Sequence, residues 1–391
     1  MPKLGDERPL VGHVVDEFLH LSETFIYGYL SNLSATRAVV FARGRVQEQV
    51  FPFSPVDLYW TRPPLPARGL LRAGRLLDPR LDEHLQRVVL ATRAALRRPR
   101  VLHAHFGQMG MRALLARRRL GIPLIVSFYG IDMSYFPRLP EYAAELKLLF
   151  EQADMFIAIG ERMKSRLIEL GCPADRLRIV HVGADMTRFT YRPRVRVPGD
   201  PVRFLFCGRF VEKKGIPFLL RAFALVRNQV PDVELTVIGD GGLRPEVERL
   251  IGELGIAPAT RLLGMQPYPR VAAEMERAHL LVGPSVTAEN GDDEGGILTC
   301  GLEGSAAGIP LIATRHADIP EQLIDGENGL MVEERDVEGL AAAMTALARA
   351  PERWPGMGAA GRRLIEDRFE IRKETVALEK VYAELIARAR R

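Results

Sequence analysis

Val202-Arg203-Phe204-Leu205-Phe206-Cys207-Gly208-Arg209-Phe210-Val211-Glu212-Lys213-Lys214-Gly215 is the stretch on which the fold turns. Its first six residues are mostly apolar, and the run is short enough for a buried strand. Gly208 ends that run, and Gly215 opens a segment whose apolar spacing predicts a helix over 216–229. A strand, a glycine turn and a helix form the repeating unit of a parallel α/β sheet. In such sheets ligands bind beyond the carboxyl ends of the strands. Arg209 and Lys214 stand at that place. A guanidinium grips phosphate oxygens with two parallel N–H groups, and an ammonium adds a mobile point charge.

The same unit recurs in both directions. Downstream, strands are expected at 235–238, 261–263, 280–282 and 311–313, with helices over 243–252, 269–277, 302–307, 337–348 and 372–389. Upstream, the run 193–201 is rich in proline and charge and reads as a linker. Before it, strands at 10–15, 38–41, 101–105, 124–128 and 155–159 alternate with helices over 22–32, 110–120, 141–152 and 161–170. The reading is α/β: a Rossmann-like domain over 1–192, a second over 202–371 and a C-terminal helix over 372–391.

Composition fits an ordinary globular chain of two domains, with 391 residues, 47% hydrophobic and 26% charged. Cys172, Cys207 and Cys300 are scattered, odd in number and without metal-ligand spacing, which points to a reducing compartment. The first residues carry no apolar signal-peptide core, and no apolar run approaches the roughly 20 residues needed to span a bilayer. A cytoplasmic location is therefore expected. Residues 1–200 hold 30 Lys+Arg against 20 Asp+Glu, with the excess concentrated between Arg62 and Arg119. That excess is either a solvated arginine-rich surface or an attraction to an anionic acceptor or the inner membrane face. The segment 67–98 interleaves leucine and valine with arginine, as a core-facing amphipathic helix or an interfacial one would. No aromatic-and-basic interleaving accompanies the arginines, so nucleic acid is not an expected partner.

The second informative segment is Asn290-Gly291-Asp292-Asp293-Glu294-Gly295-Gly296-Ile297-Leu298-Thr299-Cys300-Gly301-Leu302-Glu303. Backbone N–H groups bared at its glycines suit a diphosphate, helped by the helix that follows. Glu294 would accept hydrogen bonds from sugar hydroxyls and Glu303 from ribose hydroxyls; Glu303 could equally be an acid near a helix N-terminus. With lysine and arginine available for the diphosphate, the Asp292-Asp293 pair needs no metal, and none is expected. Together the cations and carboxylates describe a pocket for a nucleotide-sugar.

The Gly-Arg-Phe-x-x-Lys-Lys-Gly element, the paired glutamates, and the stretches Ala306 to Thr314, Ile319-Pro320-Glu321 and Asn328-Gly329-Leu330 resemble the family-4 retaining glycosyltransferases of the GT-B fold. In the first half, Leu21-Ser22-Glu23-Thr24-Phe25 and His103-Ala104-His105-Phe106 resemble members that build exopolysaccharide and colanic acid. The resemblance implies two Rossmann-like domains facing across a cleft, with the C-terminal helix returning to the first. It implies a hexose-type sugar moved with retention from a nucleoside-diphosphate donor to a glycan, lipid-linked or small-molecule acceptor, without cofactor or metal. Arg209, Lys214 and Glu294 would be catalytic. Gly208, Gly239, Asp240, Leu263, Gly264, Gly295, Gly296, Ile297, Leu298, Thr299 and Glu303 would bind the donor. On the acceptor side the candidates are Glu23, Thr24, His105, Tyr129 and Asp132.

Two departures from the family pattern stand out. Eight residues separate Glu294 from Glu303 where seven are usual, so either the glycine pair forms a bulge or the sugar contact shifts. Tyr129 occupies the place of a histidine that faces the donor sugar in many members, and a tyrosine does not titrate near neutrality. His105 could point into the cleft or be structural, and His181 reads as structural. Ser22 or Thr24 could simply cap the first helix. Two other readings stay open: a nucleotide-sugar epimerase of the same fold, and a non-catalytic module that binds sugar nucleotide or membrane.

Overall fold

The computed structural model describes residues 6–60 and 81–389. Contacts group the chain into two units, one of residues 1–159, 164–180 and 374–391, the other of residues 160–163 and 181–373. The second unit thus takes in residues 181–192, ahead of the proline-rich stretch.

The first unit is built on a seven-stranded sheet. Its strands are β1 (Leu10–Phe18), β2 (Arg37–Arg45), β3 (Val56–Leu58), β4 (Val101–His105), β5 (Leu124–Ser127), β6 (Met155–Ala158) and β7 (Leu177–Ile179). They lie in the order β3-β2-β1-β4-β5-β6-β7, every pair parallel. β4, β5 and β6 are buried at every residue, as strands covered by helices on both faces must be. The helix Leu81–Arg97 turns Leu90, Ala91 and Ala94 inward, so the described part of segment 67–98 is a core-facing helix. Residues 67–80 of that segment lie outside the described residues.

The C-terminal helix Ile371–Arg388 contributes to this unit from Glu374 onward. Its Glu379 is buried and accepts hydrogen bonds from the backbone N–H groups of Ser34, Ala35 and Thr36 and from the Thr36 hydroxyl. Burial opposes its charge, yet these donors hold its carboxyl below the usual range. One carboxylate thereby ties the last helix to the turn before β2.

The second unit repeats the plan with β8 (Val202–Cys207), β9 (Val233–Ile238), β10 (Thr260–Gly264), β11 (Leu280–Gly283), β12 (Leu311–Thr314) and β13 (Gly329–Val332). The order is β10-β9-β8-β11-β12-β13, again all parallel. Phe204, Phe206, Phe223 and Trp354 are central to its core. The helix Ile216–Gln229 follows β8 and buries Leu219, Leu220, Phe223 and Val226 against the sheet. Strand order reverses between β8 and β11, so their carboxyl-end loops diverge and open a crevice there.

Candidate functional site

Three loops of the second unit meet at that reversal. Phe210 N donates to Asp240 O at 2.8 Å, and Gly208 N to Ile238 O at 3.0 Å, so the turn after β8 lies backbone-to-backbone on the turn after β9. That approach requires Gly239: a Cβ there would stand 1.9 Å from Gly208 O. Gly215 has φ of 65°, and a Cβ on it would stand 1.8 Å from Pro284 O, just beyond β11. Glycines at these two positions are what bring Arg209 and Lys214 over the crevice.

Lys214 Nζ lies 2.8 Å from Glu294 Oε2, with the two side chains only 19% and 7% exposed. Ser285 Oγ donates to the other carboxylate oxygen at 2.6 Å. Burial works against both charges, but each outweighs it for the other. Lys214 is held above the ordinary lysine range, and Glu294, helped also by Lys213 and Ser285, falls to about 2. Glu294 is therefore ionised throughout the physiological range and acts only as an acceptor. Arg209 is exposed, and its guanidinium makes no hydrogen bond or ion pair among the described residues. Its charge is felt at Lys214. Lys213 is buried and turned away, bonding Asp292 Oδ1 at 3.0 Å and Asp293 O at 2.7 Å. The Asp292 carboxylate is thus taken up by a lysine, which also holds the Asp293 backbone carbonyl.

Directly after Glu294 the chain reverses. Gly295 has φ of 69°, in the left-handed region, and its N–H donates to Asp293 Oδ1 at 2.7 Å. The chain turns there, with Glu294 facing Lys214. The helix Thr299–Ala306 then starts without a capping side chain, leaving first-turn N–H groups for an anion. Ile297 and Leu298 bury their side chains, so Ile297 offers backbone only, and the Leu298 backbone is taken by Gln322. With its amide oriented to match, Gln322 spans Leu298 N and O at 3.1 Å each, which commits that residue to the loop.

Glu303 lies within this helix. Burial pushes its carboxyl up to about 8, against the pull of Arg188 and a hydrogen bond with Tyr268. Arg188 in turn stacks over the Tyr268 ring at 5.3 Å and pairs with Asp185. The Cys300 thiol, raised to about 11 by burial, feels Lys214, Glu303 and Glu294 together. These side chains form one electrostatic neighbourhood. Asp240 is engaged by Arg244 at 2.8 Å. Gly264, with φ of 70°, lies beside the β9 turn, its carbonyl accepting from Gly239 N at 3.0 Å. The chain at Leu263 bends with it, and the Leu263 carbonyl accepts from Gln266. Sequence reasoning did not find Ser285, Arg188 or Tyr268.

The first-unit candidates fall into two groups. His105 is fully buried, with Nδ1 2.8 Å from Tyr129 Oη and Nε2 3.0 Å from His13 Nδ1. His103 spends its nitrogens on Tyr382 Oη at 2.6 Å and Ser127 Oγ at 2.7 Å. Burial depresses the basicity of all three histidines. Their ligand atoms lie within 4.8 Å of one another. Among the described residues, His13 Nε2 is the one ring nitrogen of the three without a hydrogen-bond partner, so the cluster is a hydrogen-bond network. Tyr129 is its outermost member and is partly exposed. Asp132 is fully buried, accepting from the N–H groups of Tyr129, Gly130 and Gly107, and serves to hold that loop. Glu23 and Thr24 lie at the start of the helix Thr24–Asn32, whose N-terminus has no side-chain cap, so neither Ser22 nor Thr24 caps it. The Glu23 charge is felt at Tyr129, and the neighbouring Phe25 ring lies 4.6 Å from the Tyr129 ring.

Residues 201–350 match the family model for glycosyl transferases group 1, and residues 23–183 match the glycosyl transferase 4-like domain. A putative colanic acid biosynthesis glycosyltransferase, WcaL of Salmonella typhimurium, is 32% identical over 252 residues, covering 64% of this chain and 61% of that protein. The chain thus spans about three-fifths of that relative's length. A GDP-mannose-dependent alpha-(1-6)-phosphatidylinositol monomannoside mannosyltransferase of Mycolicibacterium smegmatis is 29% identical over 265 residues, covering 66% of this chain and 69% of its own. Among solved structures, Anabaena Alr3699/HepE in complex with UDP is similar with a TM-score of 0.77 at 15% identity, covering 96% of this chain and 100% of that one. A likeness at that identity speaks for the fold.

Proposed function

The chain belongs to the glycosyltransferase family that these two models describe and has the GT-B fold, and we propose that it moves a hexose-type sugar with retention from a nucleoside-diphosphate donor to an acceptor hydroxyl. The observation that carries this reading is the Lys214–Glu294 pair beside Arg209, which has no partner among the described residues, at the strand-order reversal of the second sheet. The diphosphate would rest on Arg209, Lys214 and the N-terminus of helix Thr299–Ala306. Glu294, held ionised, would accept from the sugar hydroxyls, and Glu303 would meet the ribose. As the anomeric carbon–oxygen bond breaks, its electron pair stays with the diphosphate, and the two cations stabilise that charge. The acceptor oxygen bonds to the anomeric carbon from the same face, and its proton passes to the departing phosphate oxygen. This route assigns no metal.

The relatives named for colanic acid and amylovoran synthesis support a glycan or lipid-linked polysaccharide precursor as acceptor. Peripheral attachment to an anionic membrane, on the cytoplasmic side, belongs to the same reading. No helix among the described residues is long and apolar enough to cross a membrane.

A thermal-shift panel of UDP, GDP, ADP and their sugars identifies the base, since a ligand stabilises the state that binds it. Turnover is then read as nucleotide released with the matching donor. Lys214→Ala is expected to lose it by orders of magnitude, and near-wild-type turnover in that variant would refute the proposal. Conversion of the donor sugar to its epimer would establish an epimerase, and saturable binding without turnover a binding module.

A further inference from the structure

We propose that His316, oriented by Glu334, is a positioning residue that sets Glu294 for recognition of the donor sugar. The inference rests on the glycosyltransferase reading above and deepens it. His316 is buried just beyond β12, so it acts through what it touches. Its Nε2 accepts from the Glu294 backbone N–H at 3.1 Å. A ring nitrogen that accepts carries no proton, so the proton sits on Nδ1, which donates to Glu334 Oε1 at 2.6 Å. Glu334 lies beyond β13, and its Oε2 accepts from Thr287 N at 2.8 Å, beyond β11. One carboxylate and one imidazole therefore connect the loops that follow three strands.

The same strand end holds Glu294 from its other side. Thr314 Oγ1 donates to the Ser285 carbonyl, and Ser285 Oγ donates to Glu294 Oε1. The backbone of Glu294 is thus fixed through His316 and its carboxylate through Ser285 and Lys214. Lys213 pins the two preceding aspartates, but the two glycines that follow leave the peptide at Glu294 without side-chain packing of its own, so these bonds set its orientation. Recognition of a single hydroxyl tolerates little such freedom, because a positional error near 1 Å forfeits most of a polar contact.

The test separates the two imidazole nitrogens. His316→Asn puts an amide near the Nδ1 position and keeps the Glu334 bond, while His316→Gln puts an amide oxygen near the Nε2 position and keeps the Glu294 bond. Affinities are measured by calorimetry for UDP and UDP-glucose and for GDP and GDP-mannose, using the pair that wild type binds. In His316→Asn the free diphosphate is expected to bind within about twofold of wild type. The sugar donor should weaken by about five- to tenfold, the size of one hydrogen bond. His316→Gln should retain the sugar preference. Equal behaviour of the two variants overturns the proposal, as does a parallel loss of diphosphate and sugar affinity, which would mark a merely structural residue. Amide hydrogen exchange of the peptide over 290–298 provides a second measurement that needs no donor. Faster exchange at Glu294 in His316→Asn alone is expected, and unchanged exchange overturns the tie by itself. A wild type with no preference for any sugar donor over its diphosphate would instead sink the glycosyltransferase reading.

Discussion

Lys214→Met removes the cation from a carboxylate that is 7% exposed, and the cost follows from the geometry. Holding Glu294 from the ordinary 4.5 down to about 2 corresponds to about 3 kcal/mol of stability at neutral pH. The sign follows from a depressed carboxyl: this stability is present above pH 4.5 and is lost as pH falls towards 2. Without Lys214, burial would act on Glu294 opposed only by Lys213 and Ser285. A charge left unpaired in such a place costs about 3–5 kcal/mol. Glu294 can escape by taking a proton, which at pH 7 costs about 3 kcal/mol from an unfolded value of 4.5. The variant is therefore expected to lose about 3 kcal/mol at pH 8 and visibly less at pH 5, where protonation is easier. The chain has two tryptophans, Trp60 and Trp354, and Trp354 is buried in the core of the second unit. Urea unfolding followed by Trp354 fluorescence in a Trp60→Phe background reports on that unit. A loss below about 1 kcal/mol at pH 8, or one that does not shrink at pH 5, would show that the pair contributes no net stability.

Other consequences follow from the same geometry. Arg209→Ala should leave unfolding within about 0.5 kcal/mol of wild type while lowering donor turnover by about 10²–10³, measured as nucleotide release. Glu303 titrates near 8 in the folded state, so its proton stabilises the fold below 4.5 and that contribution is lost as pH rises towards 8. Glu303→Gln should accordingly be more stable than wild type by about 1–3 kcal/mol at pH 8, with little difference at pH 4.5, in the same unfolding assay. Gly215→Ala forces a side chain into the left-handed region and onto Pro284 O. It should cost about 2–4 kcal/mol and abolish the thermal shift with nucleotide.

The alternation of strand and helix was legible because parallel strands buried on both faces appear as unbroken apolar runs. Where that signal is short it failed. Val56–Leu58 and Leu177–Ile179 are three-residue strands at the edges of the first sheet, and Gly329–Val332 begins with a glycine. The helix Trp354–Arg368 opens on Trp354-Pro355-Gly356-Met357-Gly358, a composition that looks like a turn. Its Gly358 is there for packing, since a Cβ would stand 2.2 Å from Gly308 O. In the site, Arg209, Lys214, Glu294 and Glu303 could be named from the turn and the acidic loop.

By itself the sequence determined two parallel α/β units and put cations and carboxylates at strand ends, because periodicity and glycine turns are local properties. Tertiary structure decided what those strand-end residues touch. It turned Lys213 onto Asp292 and Lys214 onto Glu294, although the two lysines are neighbours in the chain. It brought Ser285 and His316 to Glu294, and Arg188 and Tyr268 to Glu303. It also made Asp132 a buried staple and His105 a link in a hydrogen-bonded chain. Such pairings depend on strand order and register, which bring side chains from distant segments into hydrogen-bond contact while leaving no mark on the spacing of either.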